Sequence, residues 1–272
     1  MQNIIDFWAM ANTLVIMFAL GLHSNDLAKA DKVNQLVFAR VLMYNLLIPS
    51  LMLVILKNWA VFSSASLSAM ALCIAAAGGT SAGAFVKQVK GSQRLIAQLI
   101  IFLLMVSLGA ITVFSIFGWI NSATLSLTYL AGYLLAITLI PLLLGKWVSQ
   151  FFSAWAQLWQ PRLEQLGGLL VILLVLALAV RYGQEILTGP IEPLLAASVL
   201  VMIFVVPPLF ESDLAVRRTV VLATLVRNLT LVLSLLAVLP NAASLLPTVL
   251  AFGLLMYVMV GVLLWCWQRK TI

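Results

Sequence analysis

Long apolar runs and short polar segments alternate along the whole chain. Each apolar run has roughly 20 residues, which is the length that a helix needs to cross the hydrocarbon core of a bilayer. A backbone that faces lipid must satisfy its own hydrogen bonds, so runs of this kind are expected to be helical. The pattern predicts an all-α polytopic membrane protein with nine transmembrane helices, at about 4–23, 35–56, 65–86, 92–118, 124–148, 163–187, 191–210, 214–238 and 245–267.

Polar and turn-forming residues mark the boundaries between these spans. Among them are Asn121-Ser122, Gln160-Pro161 and Pro240-Asn241. The segment 149–161 is amphipathic and is predicted to link the fifth and sixth spans on the cytoplasmic membrane surface. No segment between spans is long enough to hold a second domain, so residues 1–272 are predicted to form a single transmembrane domain.

Composition and charge agree with this pattern. Of the 272 residues, 64% are hydrophobic and 8% are charged, and the mean hydropathy of +1.16 excludes a soluble globular domain. The net charge of +7 does not indicate nucleic-acid binding here, because the basic residues lie in membrane loops. Most of them fall in the first, third, fifth and seventh loops and at the C-terminus. The positive-inside rule then predicts a cytoplasmic (inner) membrane protein with its N-terminus outside and its C-terminus inside.

Two of the predicted spans are interrupted near their middle. In the stretch 71–86 the interruption is Gly78-Gly79-Thr80-Ser81, and in the stretch 219–238 it is Arg227-Asn228, followed by Thr230. Each glycine weakens a helix by about 1 kcal/mol relative to alanine. A charge at mid-membrane costs at least about 2.5–3.5 kcal/mol on insertion scales. Both stretches are therefore predicted to be broken helices.

The broken helices occupy corresponding positions, since each is third in a group of four spans. Repeat one covers about 4–118, an extra span covers about 124–148, and repeat two covers about 163–267. The extra span reverses the second group relative to the first, which predicts an inverted repeat with spans 3 and 8 crossing. Paired broken helices of this kind are typical of the central site of a secondary transporter. The alternative is that both breaks are coincidental kinks.

The polar residues at the breaks are the candidate substrate-binding residues. They are Thr80, Ser81, Arg227, Asn228 and Thr230, which could line a polar pocket that also uses the dipoles of the half-helices. Gly78 and Gly79 are interpreted as a structural crossover that lets two helices approach closely. The alternative is that these polar residues only satisfy backbone groups freed by the breaks, with Arg227 bonded to carbonyls of the opposite break.

Several motifs resemble those of one transporter family. The run Ile16–Leu22, IMFALGL, is similar to the IMFxMGL signature of the bile acid:sodium symporter family. The stretch from Gly78 to Gly91 is similar to its PGGTASN…ARGN segment, Pro141-x-x-Leu144-Gly145 matches a further span, and Arg218-Thr219 with Asn228 resembles RTxxxExGxQN. The resemblance extends over most of the chain and is closest to the nine-span members. It implies a panel built on spans 1 and 6 with their partners, and a core of spans 3, 4, 8 and 9.

The chain departs from the family at the sodium ligands. The positions where the family binds sodium through oxygen atoms carry Tyr44, Ala82, Gly83, Ile96, Ile100, Ala223 and Arg227. Hard cations need oxygen ligands, and a guanidinium nearby opposes a second positive charge. Sodium coupling of the family type is therefore not expected, and Arg227 is interpreted as taking the place of the cation.

The sequence predicts a secondary transporter that carries a small organic anion by alternating access. Two alternatives stay open: a sodium-coupled symporter of the family type, and a transport-inactive membrane sensor or partner protein. The expected partners are the organic anion and the lipid bilayer, without nucleic acid, and coupling to sodium or protons is left open. With one histidine, two cysteines within apolar spans and no glycine-rich phosphate loop, we expect no enzyme activity, no cofactor and no metal site.

Overall fold

The computed structural model describes residues 2–28, 35–79, 81–120, 129, 132–133, 135–239 and 241–269. Every regular element within these ranges is helical, which confirms the predicted fold class at the level of an all-helical chain with several membrane-length helices. The helices are α1 (Gln2–Ala28), α2 (Gln35–Leu42), α3 (Ile48–Asn58), α4 (Ser64–Ala75), α5 (Ala82–Gln88), α6 (Gln93–Ile116), α7 (Ile140–Phe151), α8 (Ser153–Thr188), α9 (Glu192–Val205), α10 (Leu214–Leu225), α11 (Leu229–Leu236) and α12 (Ala242–Arg269). π-Helical turns at Met43–Leu47 and Leu135–Leu139 precede α3 and α7, and a 3₁₀ turn at Pro207–Phe210 follows α9.

Polar loop residues start several of these helices by capping their free N–H groups. The side chains of Ser63, Ser92 and Asp213 each accept a hydrogen bond from the backbone N–H three residues later, at 3.3, 3.3 and 2.8 Å. Such caps are worth about 1 kcal/mol each. Each cap lies in a segment between predicted spans, so the short polar segments do begin new helices.

Within the described residues, five helical segments are long and apolar enough to cross a membrane. They are Gln35–Asn58, Arg94–Ile116, Glu192–Phe210, Leu214–Leu236 and Ala242–Arg269. Three shorter apolar helices of 10–17 residues occupy Met10–Leu22, Ser64–Ala75 and Leu135–Phe151. The structure is thus that of a multi-pass membrane protein, while the count of nine spans stays a prediction. The start of the predicted fifth span, 124–128, lies outside the described residues.

The predicted boundary at Gln160-Pro161 is wrong. Both residues lie inside α8, a continuous helix of 36 residues that begins at Ser153. The segment 149–161 is therefore the end of α7 and the first turns of α8 rather than a separate link. Proline removes one helical hydrogen bond but does not end a helix where neighbouring elements support it. At 1.5 Å per residue α8 is about 54 Å long, longer than the hydrocarbon core of a bilayer.

The segment Leu214–Leu236 forms the centre of the bundle. Its most apolar stretch is entirely buried, whereas the other four long segments bury between 33% and 50% of theirs. A helix that is apolar on every side and buried on every side has no face left for lipid. The predicted break of this span, at Arg227-Asn228, is consequently enclosed by protein.

Two helices are interrupted, and their interruptions meet. α4 ends at Ala75 and α5 begins at Ala82, while α10 ends at Leu225 and α11 begins at Leu229. Between the two gaps the backbone N–H of Gly79 donates to Val226 O at 3.1 Å, and the N–H of Asn228 donates to Ala76 O at 3.0 Å. Each break therefore supplies hydrogen-bond partners for the other. The two interruptions are therefore in direct backbone contact.

Gly79 permits this contact, and Gly78 permits the backbone conformation that precedes it. Gly78 has φ +80°, a conformation that L side chains rarely adopt. A Cβ on Gly79 would lie 2.7 Å from the carbonyl oxygens of both Val226 and Arg227. The two broken segments touch backbone to backbone because Gly79 carries no side chain.

A second backbone contact joins α1 to α7. A Cβ on Gly21 would collide with the carbonyl oxygen of Leu142, and a Cβ on Gly145 would collide with that of Phe18. Small residues allow such close approach of helices in a membrane. The glycines of the IMFALGL run and of the Pro141-x-x-Leu144-Gly145 motif therefore meet each other.

We expect Gly79→Ala to destabilise the protein by roughly 1–3 kcal/mol, because its methyl group would press on backbone atoms that have no room to move. Gly109→Ala on α6 is the matched control: nothing lies within 4 Å of the position of its Cβ, and alanine is the better helix former. Thermal unfolding of the purified protein in detergent compares the two variants. Equal midpoints would show that the breaks are not in contact.

Candidate functional site

A small pocket opens where the two interrupted helices meet. It is lined by Ile16, Gly79, Ser81, Arg227, Asn228, Leu229, Thr230 and Tyr257. Its cavity volume is about 10 Å³, which leaves space for about one water molecule. The site is thus polar and, in this conformation, closed around a very small volume.

The structure brings together most of the residues that the sequence nominated. Ser81, Arg227, Asn228 and Thr230 all line the pocket, and the predicted crossover residue Gly79 forms part of its wall. Gly78 lies beside it in the same break. Thr80, the remaining candidate, lies outside the described residues.

Asn228 is placed at the start of α11 and caps it. Its Oδ1 accepts hydrogen bonds from Leu231 N at 3.1 Å and from Thr230 Oγ1 at 2.8 Å. Its Nδ2 has no hydrogen-bond partner although the residue is only 5% exposed. A buried donor without a partner costs about 1–3 kcal/mol. The pocket thus presents a spare N–H donor at a helix N-terminus, where the helix dipole favours negative charge.

Arg227 is the largest fully buried side chain among the described residues, at 1% exposure. Its Nη1 donates to Asn45 Oδ1 at 2.8 Å and its Nη2 donates to Asn45 O at 3.0 Å. Its Cζ lies 3.7 Å from the ring centroid of Phe204, which is a cation–π contact. The guanidinium is therefore bound by neighbouring spans, and the carbonyls of the opposite break, proposed above as its partners, are not the ones that accept from it.

Proline chemistry explains why a backbone carbonyl is available to Arg227. Asn45 lies in the π-helical turn Met43–Leu47, four residues before Pro49. In a regular helix the N–H of residue 49 would bond to Asn45 O, but proline has no N–H and its ring displaces that carbonyl. The side-chain amide of Asn45 is fixed in turn by donating to Val41 O at 2.9 Å and to Thr224 Oγ1 at 3.1 Å. The break in this span thus creates a neutral receptor for a cation.

The positive charge of Arg227 has no carboxylate partner in the described part of the chain. An ion pair in that part of the chain joins Arg40 to Glu211, with Nη1 and Oε2 at 2.6 Å. The Nε of Arg227 is also buried without a hydrogen-bond partner. Neutral groups therefore hold the guanidinium while its charge remains uncompensated beside the pocket.

Sequence reasoning missed three contributors to the site. Ile16 on α1 and Tyr257 on α12 line the pocket, and Asn45 binds the guanidinium. The one available signal was an amide in mid-span, four residues before a proline. Ile16 and Tyr257 lie on unbroken apolar helices; Ile16 begins the IMFALGL run, but nothing in the sequence marks either residue as part of a pocket.

Comparisons with known proteins do not assign this chain to a family: no protein-family model matches it, and no curated protein matches it. The resemblance to the bile acid:sodium symporter family accordingly rests on the motifs alone.

The contact between Arg227 and Asn45 is expected to appear as an energetic coupling. Asn45→Leu should destabilise by roughly 2–5 kcal/mol, because a buried charge loses its acceptors. Arg227→Met should cost about 1–3 kcal/mol, because the acceptors of Asn45 lose their donor. The double variant should cost about 0.5–3 kcal/mol less than the sum, measured by unfolding in detergent.

Arg218→Met provides the control for this cycle. Arg218 is also a buried arginine of α10, 5% exposed, and it donates to Val89 O at 2.7 Å rather than to Asn45. Its effect should add to that of Asn45→Leu. Additivity in the Arg227 cycle as well would rule out the coupling.

Proposed function

We propose that this protein is a secondary transporter that moves a small organic anion across a cytoplasmic membrane by alternating access. The observation that carries the proposal is the pocket between the two interrupted helices, whose lining includes the buried arginine Arg227, the N-terminus of α11 and Asn228 with its spare amide donor. All three favour negative charge. The pocket also lies in the interior of the protein, where a carrier holds its substrate.

The positive charge of Arg227 determines that the substrate carries a negative charge. At an effective dielectric constant of 20, two unit charges 4 Å apart interact by about 4 kcal/mol. No described carboxylate cancels this attraction. A carboxylate or sulfonate is therefore the group that we place in the pocket, and a cationic substrate is disfavoured.

We propose further that Arg227 acts as a fixed cation in place of sodium. It is bound by the amide oxygen and carbonyl of Asn45 and by the face of Phe204, groups that suit a cation. Four of the positions at which the resembled family supplies sodium ligands are filled here by the buried apolar side chains of Ala82, Ile96, Ile100 and Ala223. Transport is then independent of sodium of the family type.

The architecture that we propose is an inverted repeat of four spans on each side of one extra span, with nine spans in total. Spans 3, 4, 8 and 9 form the core, and span 1 belongs to the panel. Ile16 of α1 lines the pocket opposite residues of the broken helices, so the pocket lies between the two parts. Because it has room for about one water molecule, the panel and core must separate for a substrate to enter. The N-terminus is placed outside and the C-terminus inside, as the basic residues indicate.

The test is uptake into proteoliposomes of labelled pantoate, pyruvate and isethionate, which present a hydroxy acid, a keto acid and a sulfonate. We expect uptake of at least one of them without a sodium gradient. Arg227→Gln should reduce its apparent affinity at least about tenfold, which corresponds to 1.4 kcal/mol. Arg218→Gln is the matched control and should retain wild-type affinity, because Arg218 does not line the pocket.

Other outcomes identify the alternatives. A strict requirement for sodium would assign the protein as a sodium-coupled symporter and remove the fixed-cation role. A third outcome is that none of the three anions is taken up and none raises the unfolding temperature. That outcome would favour a transport-inactive sensor or partner protein.

A further inference from the structure

We propose that Asn12 and Trp8 of α1 form a second, neutral part of the substrate site, which recognises a hydrogen-bonding group at the far end of the anion. The inference rests on the proposed function and narrows its substrate class. It makes the substrate a short carboxylate that also bears a hydroxyl, carbonyl or amide group.

Asn12 carries the inference because it is a buried amide without partners. Its side chain is 0% exposed, and neither Nδ2 nor Oδ1 makes a hydrogen bond. The indole Nε1 of Trp8 is likewise buried and unpartnered. Buried polar atoms are almost always hydrogen-bonded, and exceptions call for a functional cause. Three such atoms on two consecutive turns of α1 indicate a surface that is completed by a ligand.

The spacing along α1 connects these atoms to the pocket. Trp8, Asn12 and Ile16 follow one another at four-residue intervals, so they share one face of the helix. Ile16 lines the pocket. At 1.5 Å per residue, Asn12 lies about 6 Å beyond Ile16 along the helix.

The facing helix continues the polar surface in the same direction. Thr230 lines the pocket, and Ser234, one turn further along α11, lies 3.3 Å from Thr13 through their hydroxyl oxygens. The hydroxyl of Tyr133 donates to Ser234 O at 3.1 Å. The turn of α1 that carries Asn12 therefore lies against the turn of α11 beyond the pocket, and polar groups extend from the pocket to it.

The chemistry of the two side chains defines the group they would bind. An amide both donates and accepts, and an indole only donates, and neither is charged. They suit a neutral hydroxyl, carbonyl or amide, whereas the carboxylate binds at the charged end beside Arg227. One turn of α1, about 6 Å, separates Asn12 from Ile16 of the pocket, and an extended anion such as 5-hydroxypentanoate spans such a distance between its carboxylate and its hydroxyl.

The test compares 5-hydroxypentanoate with pentanoate, which differ only in the terminal hydroxyl. Affinities are measured from the concentration dependence of the unfolding temperature of the purified full chain. The wild type should bind the hydroxy acid at least about tenfold more tightly than pentanoate, because a site built to bond a hydroxyl rejects the analogue that lacks it. Asn12→Leu should bring this ratio close to one, and Trp8→Phe should reduce it.

The stability of the unliganded variants separates recognition from a structural role. Asn12→Leu should raise the unfolding temperature without ligand, because it removes a buried amide that has no partner. If an ordered water instead completes the hydrogen bonds of Asn12 in the unliganded protein, Asn12→Leu would lower the unfolding temperature. Asn241→Leu is the control: its Oδ1 is also buried and unpartnered, but it lies in the loop before α12, and the affinity ratio should not change.

Equal binding of the two acids by the wild type, or an unchanged ratio in Asn12→Leu, would overturn this inference and leave the proposed function intact. If neither acid binds and the labelled anions are not transported either, both proposals fail together.

Discussion

The exchange of two backbone hydrogen bonds between the interrupted helices is the constraint on which the rest of the structure depends. A helix broken inside a bilayer exposes N–H and C=O groups, each of which costs several kcal/mol if it finds no partner. Gly79 N bonds to Val226 O, and Asn228 N bonds to Ala76 O, so each break supplies what the other lacks. Neither break could exist alone at that depth. Gly79 is needed because a side chain there would separate the two backbones, and Gly78 is needed because its φ of +80° is one that L side chains rarely adopt.

A local distortion of the span that contains α2 and α3 makes the buried arginine tolerable. Pro49 frees the carbonyl of Asn45, and the π-helical turn at Met43–Leu47 accommodates the distortion. That carbonyl, the amide oxygen of the same residue and the ring of Phe204 then surround the guanidinium. Because all three groups are neutral, they reduce the cost of desolvating the charge without cancelling it. The charge can still act on an anion in the pocket.

The sequence predicted those features of the site that follow from residue type alone. Glycine pairs and a charge within an apolar run are poor choices for a spanning helix, so the breaks at 78–81 and 227–228 could be located without a structure. The partner of Arg227 could not be located, because it depends on how the second span is rotated against the eighth. Ile16 and Tyr257 were missed for the same reason. The boundary at Gln160-Pro161 failed because proline was treated as a helix end, although it lies within α8.

The distribution of donors around the pocket argues for a carrier of anions over a carrier coupled to sodium. A sodium site needs several converging oxygen atoms. Three oxygen atoms of the site are already engaged: Oδ1 of Asn228 caps α11, and both oxygen atoms of Asn45 accept from Arg227. The Asn228 side-chain atom without a hydrogen-bond partner is the donor Nδ2, and the neighbouring residue Arg227 carries an uncompensated charge. Donors and positive charge complement an anion, and an added cation would first have to displace Arg227 from Asn45.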